Sequence, residues 1–184
     1  MAHPVFAYDD VNHEAALEYA VQHVEGRSAE VIEGRIVLVS PMWDHERIIA
    51  RIRRQLDARV DELDCLTGSG NLDLPGSPNW YVPDLAVIPD GLAKVTGALL
   101  PDQTLLIVEV TSDSTLENDR STRRLRYAQY GAPLYLLVDR RERVWTLFRD
   151  PHDLGYGRTD GPRPFGEPIP LPDPFALAID TSGF

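Results

Sequence analysis

Residues 104–112, TLLIVEVTS, restrict the architecture more than any other stretch of the chain. Apolar side chains run almost unbroken from Leu105 to Val110, the pattern of a strand covered on both faces. A sheet holding such a strand needs a packed layer on each side. Yet an acid, Glu109, stands inside the run. An ionised carboxylate in a dry core is costly, so Glu109 requires a partner, a shifted pKa or a cation. Asp84, in VPDLAVI, is a second acid in an aliphatic setting. If the two strands are neighbours, their carboxylates converge at one edge of the sheet. Converging hard oxygens are what Mg2+ or Mn2+ accepts, with water and substrate phosphate oxygens completing the shell. The residues alone leave open a plainer reading, in which both acids are salt-bridged or stand at strand ends.

The surrounding segments give the order of elements. YDDVNHEAALEYAVQHVEG has helical spacing, and AEVIEGRIVLVSP reads as two short strands around a Glu33-Gly34 turn. Ile48, Ile49, Ile52, Leu56, Val60 and Leu63 form one stripe of a helix over about 44–63, with Asp44 as its expected N-cap. Arg47, Arg51 and Arg54 follow one another on a different face. WYVPDLAVIPD reads as a strand and GLAKVTGALLPD as a loop. SDSTLENDRSTRRLRYAQYG reads as a helix closed by Gly131, with Ser114 and Glu117 as a capping box. APLYLLVDRRERVWTLFRD gives two strands around a charged turn. The proline-dense tail over 151–184 is expected to be extended and irregular. No repeat or linker marks a second domain, and 184 residues suffice for one full core. The fold class expected is α/β or α+β, a mixed sheet flanked by helices.

Composition narrows the setting. Nothing approaches the roughly 18 apolar residues of a membrane span, and no secretion signal is visible at MAHPVFAYDD, so a cytoplasmic protein is expected. The one cysteine, Cys65, reads as a buried free thiol. A net charge of −11 speaks against a nucleic-acid partner. The placement of the positive charge tempers this, because 17 of the 18 basic residues are arginines, gathered chiefly in ERIIARIRRQLDARV and DRSTRRLRY. Two such helices can form a local phosphate-facing surface, or simply two solvated faces paired with neighbouring acids.

Several separated segments agree in order with one pattern: PD, then VEV-T-S-x-S-T, then Asp119-x-x-x-Arg123-x-x-x-Tyr127, then G-x-P-x-Y-x-x-V-D, preceded by AEVIEGRIVLVSPMWDHERIIARI. This set resembles the large bacterial family known as Uma-two, formerly a domain of unknown function and a branch of the restriction-endonuclease-like PD-(D/E)xK superfamily. The resemblance covers about residues 28–150. It implies a single restriction-endonuclease-like domain over 1–184, comprising an N-terminal helix at 9–25, a nuclease core at 28–150 and the flank at 151–184. It also implies a homodimer and a Mg2+- or Mn2+-dependent endonuclease acting on DNA. Carried over position by position, it makes Asp84 and Glu109 the metal-binding acids, with the Val110 carbonyl as a further ligand. Glu30 falls near the site, either approaching the metal or a bound water, or idle in an exposed strand-edge pair. His45 falls near substrate, or is a helix-start residue satisfied by hydrogen bonds.

The sequence departs from the pattern at one place. Where the family carries a lysine on the helix, between the Asp and the Tyr, this chain has Arg123. A lysine can be desolvated and shift its pKa, whereas a guanidinium stays protonated and cannot be a general base. Arg123 is expected to hold a phosphate with Tyr127 beside it, or merely to pair with Asp119. Lys94, the only lysine, falls in a loop expected to be distant. Three functions therefore stand: a metal-dependent endonuclease, a degenerate member that binds DNA or protein without turnover, and a scaffold docking through YLLVD and PIPLPDPFALAI.

Overall fold

A type I′ hairpin turn needs both central residues at positive φ, and Glu33 (46°) and Gly34 (73°) supply it. In the computed structural model, which describes residues 28–39, 42–94, 97–111 and 118–184, this turn joins β1 (Ser28–Ile32) to β2 (Arg35–Val39). The other edge of β1 pairs with β5 (Trp80–Tyr81), which pairs with β4 (Leu72–Asp73), giving the order β2-β1-β5-β4. The expected N-terminal helix at 9–25 and the Ser114–Glu117 capping box lie outside the described residues.

The arginine-rich helix α1 spans Trp43–Glu62 and buries Ile48, Ile49, Ile52, Leu56 and Val60 of the stripe read from the sequence, while Leu63, its last member, is the half-buried C-cap. It begins earlier than expected, with Met42 as N-cap, so Asp44 lies inside the first turn and bonds Arg47 and Arg140 instead of capping. The buried stripe packs on a six-stranded sheet of order β10-β9-β8-β7-β6-β3. Its strands are β3 (Cys65–Gly68), β6 (Leu85–Pro89), β7 (Leu106–Val110), β8 (Leu134–Asp139), β9 (Val144–His152) and β10 (Gly155–Pro164). All pairs are antiparallel except β7 with β8, which are joined through a π-helical turn (Asn118–Arg123) and helix α2 (Arg124–Gln129). Parallel neighbours require such a crossover.

The alternation along β7 divides the core in two. Leu106, Val108 and Val110 face α1, whereas Ile107 faces Tyr127 of α2 and Ile32, Leu72 and Tyr81 of the small sheet. Both faces are covered, as the unbroken apolar run demands.

Two segments differ from expectation. WYVPDLAVIPD is not one strand: Trp80–Tyr81 belongs to the small sheet and Leu85–Pro89 to the large one. Val82, Pro83 and Asp84 form the seam between them, where a proline removes the ladder donor that a continuous strand would need. The tail is not irregular. β10 is the edge strand, where Pro162 and Pro164 are tolerated because its outer side makes no ladder. Gly161 (φ 121°) passes so close to β9 that a Cβ would lie 2.7 Å from the Trp145 carbonyl oxygen. Beyond it, β11 (Ile169–Leu171) pairs with β12 (Leu177–Ile179), and Ile169, Leu171, Phe175, Ile179 and Phe184 join the core beneath α1.

Candidate active site at the seam of the two sheets

Glu109 occupies β7 at a point where all five strand residues are buried, opposite Leu137 of β8. Its Oε1 accepts hydrogen bonds from the Tyr127 hydroxyl (2.8 Å) and from Arg123 Nη1 (3.0 Å). Arg123 Nη2 donates to Oε2 of Glu30, whose Oε1 accepts the Val82 backbone N–H at 2.7 Å. Glu30 is 1% exposed, Glu109 2% and Arg123 2%, so these are buried charges and their pairing is obligatory. The Arg123 guanidinium carbon also stands 5.0 Å from the centre of the Tyr81 ring, a cation–π position. Burial, followed by the negative charge of Glu109, holds the Tyr127 phenol well above its ordinary value, so its hydroxyl remains a donor.

Local structure explains why these groups meet. Arg123 and Tyr127 are four residues apart across the junction from the π turn to α2, so they project from one side of the helix and both reach Glu109. Gly131 (φ 76°) closes α2, and the Ala132 N–H caps the Tyr127 carbonyl at 2.9 Å. On the rim, Arg126 grips Glu33 through Nε (2.8 Å) and Nη2 (2.9 Å), tying α2 to the hairpin turn.

Asp84 lies one residue before β6. Extending the Leu85–Val108 pairing by one step sets it opposite Glu109. Its Oδ2 accepts the Val110 N–H at 2.7 Å and faces His45 Nε2 at 3.0 Å. Burial alone would lower the His45 pKa, but its hydrogen bond to Asp84 and the negative charges of Asp84 and Glu46 outweigh it and raise the value. The two acids thus stand at neighbouring register positions but meet different partners. Asp84 is held by His45 of α1, and Glu109 by Arg123 and Tyr127 on the α2 side.

The structure gathers the candidate site residues in two adjoining groups, His45 with Asp84 and the Val110 N–H, and Glu30 with Arg123, Glu109 and Tyr127. For two of them it shows partners that the sequence did not give. Glu30 is not in an exposed edge pair but is a buried anchor for Arg123. Arg123, expected on a substrate phosphate, lies between two glutamates; the Asp119 side chain lies outside the described residues. His45 is satisfied by Asp84 and Glu46. Lys94 ends a short 3-10 helix (Asp90–Lys94) at the opposite end of β6 from Asp84. Tyr81 and the Val82 N–H carry no sequence signal of their own, and only the proline beside them hints at a special position.

Asp84, Glu109 and the Val110 carbonyl fit a hard divalent cation in donor type, since Mg2+ is commonly held by one or two carboxylates and completed by water. Among the described residues, no three His, Cys, Asp or Glu side chains are grouped so as to hold a metal by themselves.

Residues 16–182 match the family model Uma2, described as "Putative restriction endonuclease". Among solved structures, "a putative nuclease belonging to DUF820 from Anabaena variabilis ATCC 29413" superposes with a TM-score of 0.68 and 18% sequence identity, over 90% of this chain and 94% of its own. At that identity the likeness is one of fold, and the fold is restriction-endonuclease-like α+β. No curated protein matches the chain.

Proposed function

The chain belongs to the Uma2 family, whose description is "Putative restriction endonuclease", and from that premise we propose that it is a divalent-metal-dependent endonuclease hydrolysing DNA phosphodiester bonds. The observation that carries the proposal is the placement of Asp84 and Glu109 at facing register positions beside one seam of the two sheets, with the Asp84 carboxylate on the Val110 N–H next to Glu109. Asp84 and Glu109 would hold Mg2+ or Mn2+ with the Val110 carbonyl. When bound there, such an ion supplies activated water and neutralises charge on the phosphate.

The protein's own groups do the positioning. The Val110 N–H and His45 fix the Asp84 carboxylate, while Tyr127 and Arg123 fix that of Glu109. Glu30 anchors the guanidinium. Arg123 stays protonated, so it sets the local potential and takes no proton from water. No described helix is long and apolar enough to cross a membrane. A cytoplasmic homodimer completes the reading.

One observation favours a second reading. The Arg123 guanidinium satisfies Glu30 and Glu109 at once and stands where the family pattern has a lysine, so the chain can be a DNA-binding member without turnover. Incubating purified protein with plasmid and Mg2+ or Mn2+ separates the two. Nicking by the wild type that disappears in Asp84→Asn and Glu109→Gln supports the endonuclease. Nicking that survives Asp84→Asn would expose a contaminant and remove that support. DNA retention without nicking, together with cleavage gained by Arg123→Lys, would establish the second reading.

A further inference from the structure

The catalytic reading leaves the outer face of α1 unused. Trp43, Arg47, Arg51 and Arg54 recur at steps of four, four and three residues, so they share one side of the helix, away from the buried Ile48, Ile52 and Leu56. Trp43 is 92% exposed, beside an exposed Met42. A fully hydrated indole is a poor use of a large aromatic unless something covers it. The remaining two tryptophans are placed differently: Trp145 is fully buried and Trp80 is half-buried.

The charges around the indole indicate what covers it. Arg47 and Arg54 are exposed, whereas Arg51 is partly covered. The Asp44 carboxylate is shared between Arg47 Nη2 (3.2 Å) and Arg140 Nη2 (2.7 Å), one negative charge for two guanidiniums. The head of the stripe therefore sets two guanidiniums on one carboxylate, the other acid of this turn, Glu46, being directed to His45 Nδ1 at 3.4 Å, on a chain of net charge −11. The stripe starts at the end of the helix that reaches the site: two residues after Trp43, on the opposite side of the same turn, His45 turns inward to meet Asp84 at 3.0 Å.

We propose that this face of α1 is a track for a single nucleic-acid strand, with Arg47 and Arg54 on its phosphates and Trp43 stacked on the base that arrives at the Asp84 rim. The arginine pair spans about 10 Å of helix axis, enough for separate phosphates. An exposed indole offers a stacking face only to an unpaired base, which is why the strand is single and not a closed duplex. The direction of the track, toward Asp84, rests on the nuclease reading; the binding does not.

The test uses a fluorescein-labelled 20-nucleotide DNA strand in EDTA, with binding read by anisotropy over a NaCl series. Trp43→Ala is expected to weaken binding about tenfold while Trp43→Phe retains most of it. Arg47→Gln with Arg54→Gln is expected to flatten the slope of log affinity against log salt by roughly 1.4, the loss of two single-strand phosphate contacts. The strand should also quench the exposed indole emission of the wild type and leave that of Trp43→Phe unchanged. Arg158→Gln, at an exposed arginine on β10, should alter nothing. Unchanged affinity and slope in the stripe variants would overturn the proposal. So would a Trp43→Ala protein that binds normally but has changed from dimer to monomer in sedimentation, since the indole would then belong to a second copy. Plasmid nicking is scored separately: stripe-dependent binding without nicking removes the endonuclease and keeps the track, and nicking with stripe-independent binding does the reverse.

Discussion

Arg123 holds two acids that are far apart in the chain, and its removal should cost more than its own contacts. Leaving Glu30 and Glu109 buried without their counter-charge is the expensive event, about 3–5 kcal/mol for a broken buried ion pair. Urea denaturation of Arg123→Ala should show that loss. Arg123→Met combined with Glu30→Gln and Glu109→Gln should recover a good part of it, because uncharged groups of similar shape carry no such penalty. Equal losses in both proteins would mean that packing against Tyr81, and not charge, holds this side chain. The Arg123–Tyr127 half of the cluster is legible in the sequence, since a four-residue step on a helix dictates a common side. The Glu30 half is not, because its bond to Arg123 spans 93 residues and depends on how two sheets meet.

Among the elements, α1 can be read almost completely, because a 3.6-residue period over twenty residues is a strong signal. Only its start is displaced: capping propensity favours Asp44, but the Asp44 carboxylate is taken by Arg47 and Arg140 from the side. The seam at Val82–Asp84 is hidden because apolar residues on both sides of Pro83 look continuous in one dimension. The hairpin turn is visible in the sequence, yet its second attachment, Glu33 to Arg126, is not. That attachment gives a pH signature. The hydrogen bond from Arg126 is the largest influence on the Glu33 pKa, which is lowered from its ordinary 4.5. A depressed acid contributes stability that is present above its unfolded value and is lost as pH falls through the folded one. Wild type and Glu33→Gln should therefore differ most near neutrality and converge in acid. The pair is partly exposed, so the difference should stay under about 1 kcal/mol and shrink in salt. Unfolding curves at pH 7 and pH 3 that run parallel for the two proteins would show that the bond contributes nothing.

At the scale of the whole molecule, the mixed sheet follows from β7, since an apolar run covered on both faces requires two layers around it. The contribution of the C-terminal segment does not follow. Prolines spaced through a tail suggest an irregular flank, because local propensity cannot tell an edge strand from a coil. In the folded chain this segment closes the α1 side of the core, with Ile169, Leu171, Phe175, Ile179 and Phe184 buried there. It is also pinned to α1: Arg59 donates to the Pro174 and Phe175 carbonyl oxygens, and Gln55 exchanges hydrogen bonds with the Asp180 backbone. Burying each such apolar side chain is worth about 1.5–3 kcal/mol, so five of them approach the entire stability of an ordinary domain. A chain ended after residue 166 keeps every residue of the candidate site yet should fail to fold, with no cooperative urea transition. Restoring residues 167–184 as a separate peptide should return little, because the peptide must first bear the entropy of being ordered. A truncated chain that still melts cooperatively would show that α1 and the six-stranded sheet are a sufficient core, and that the tail is an appendage after all.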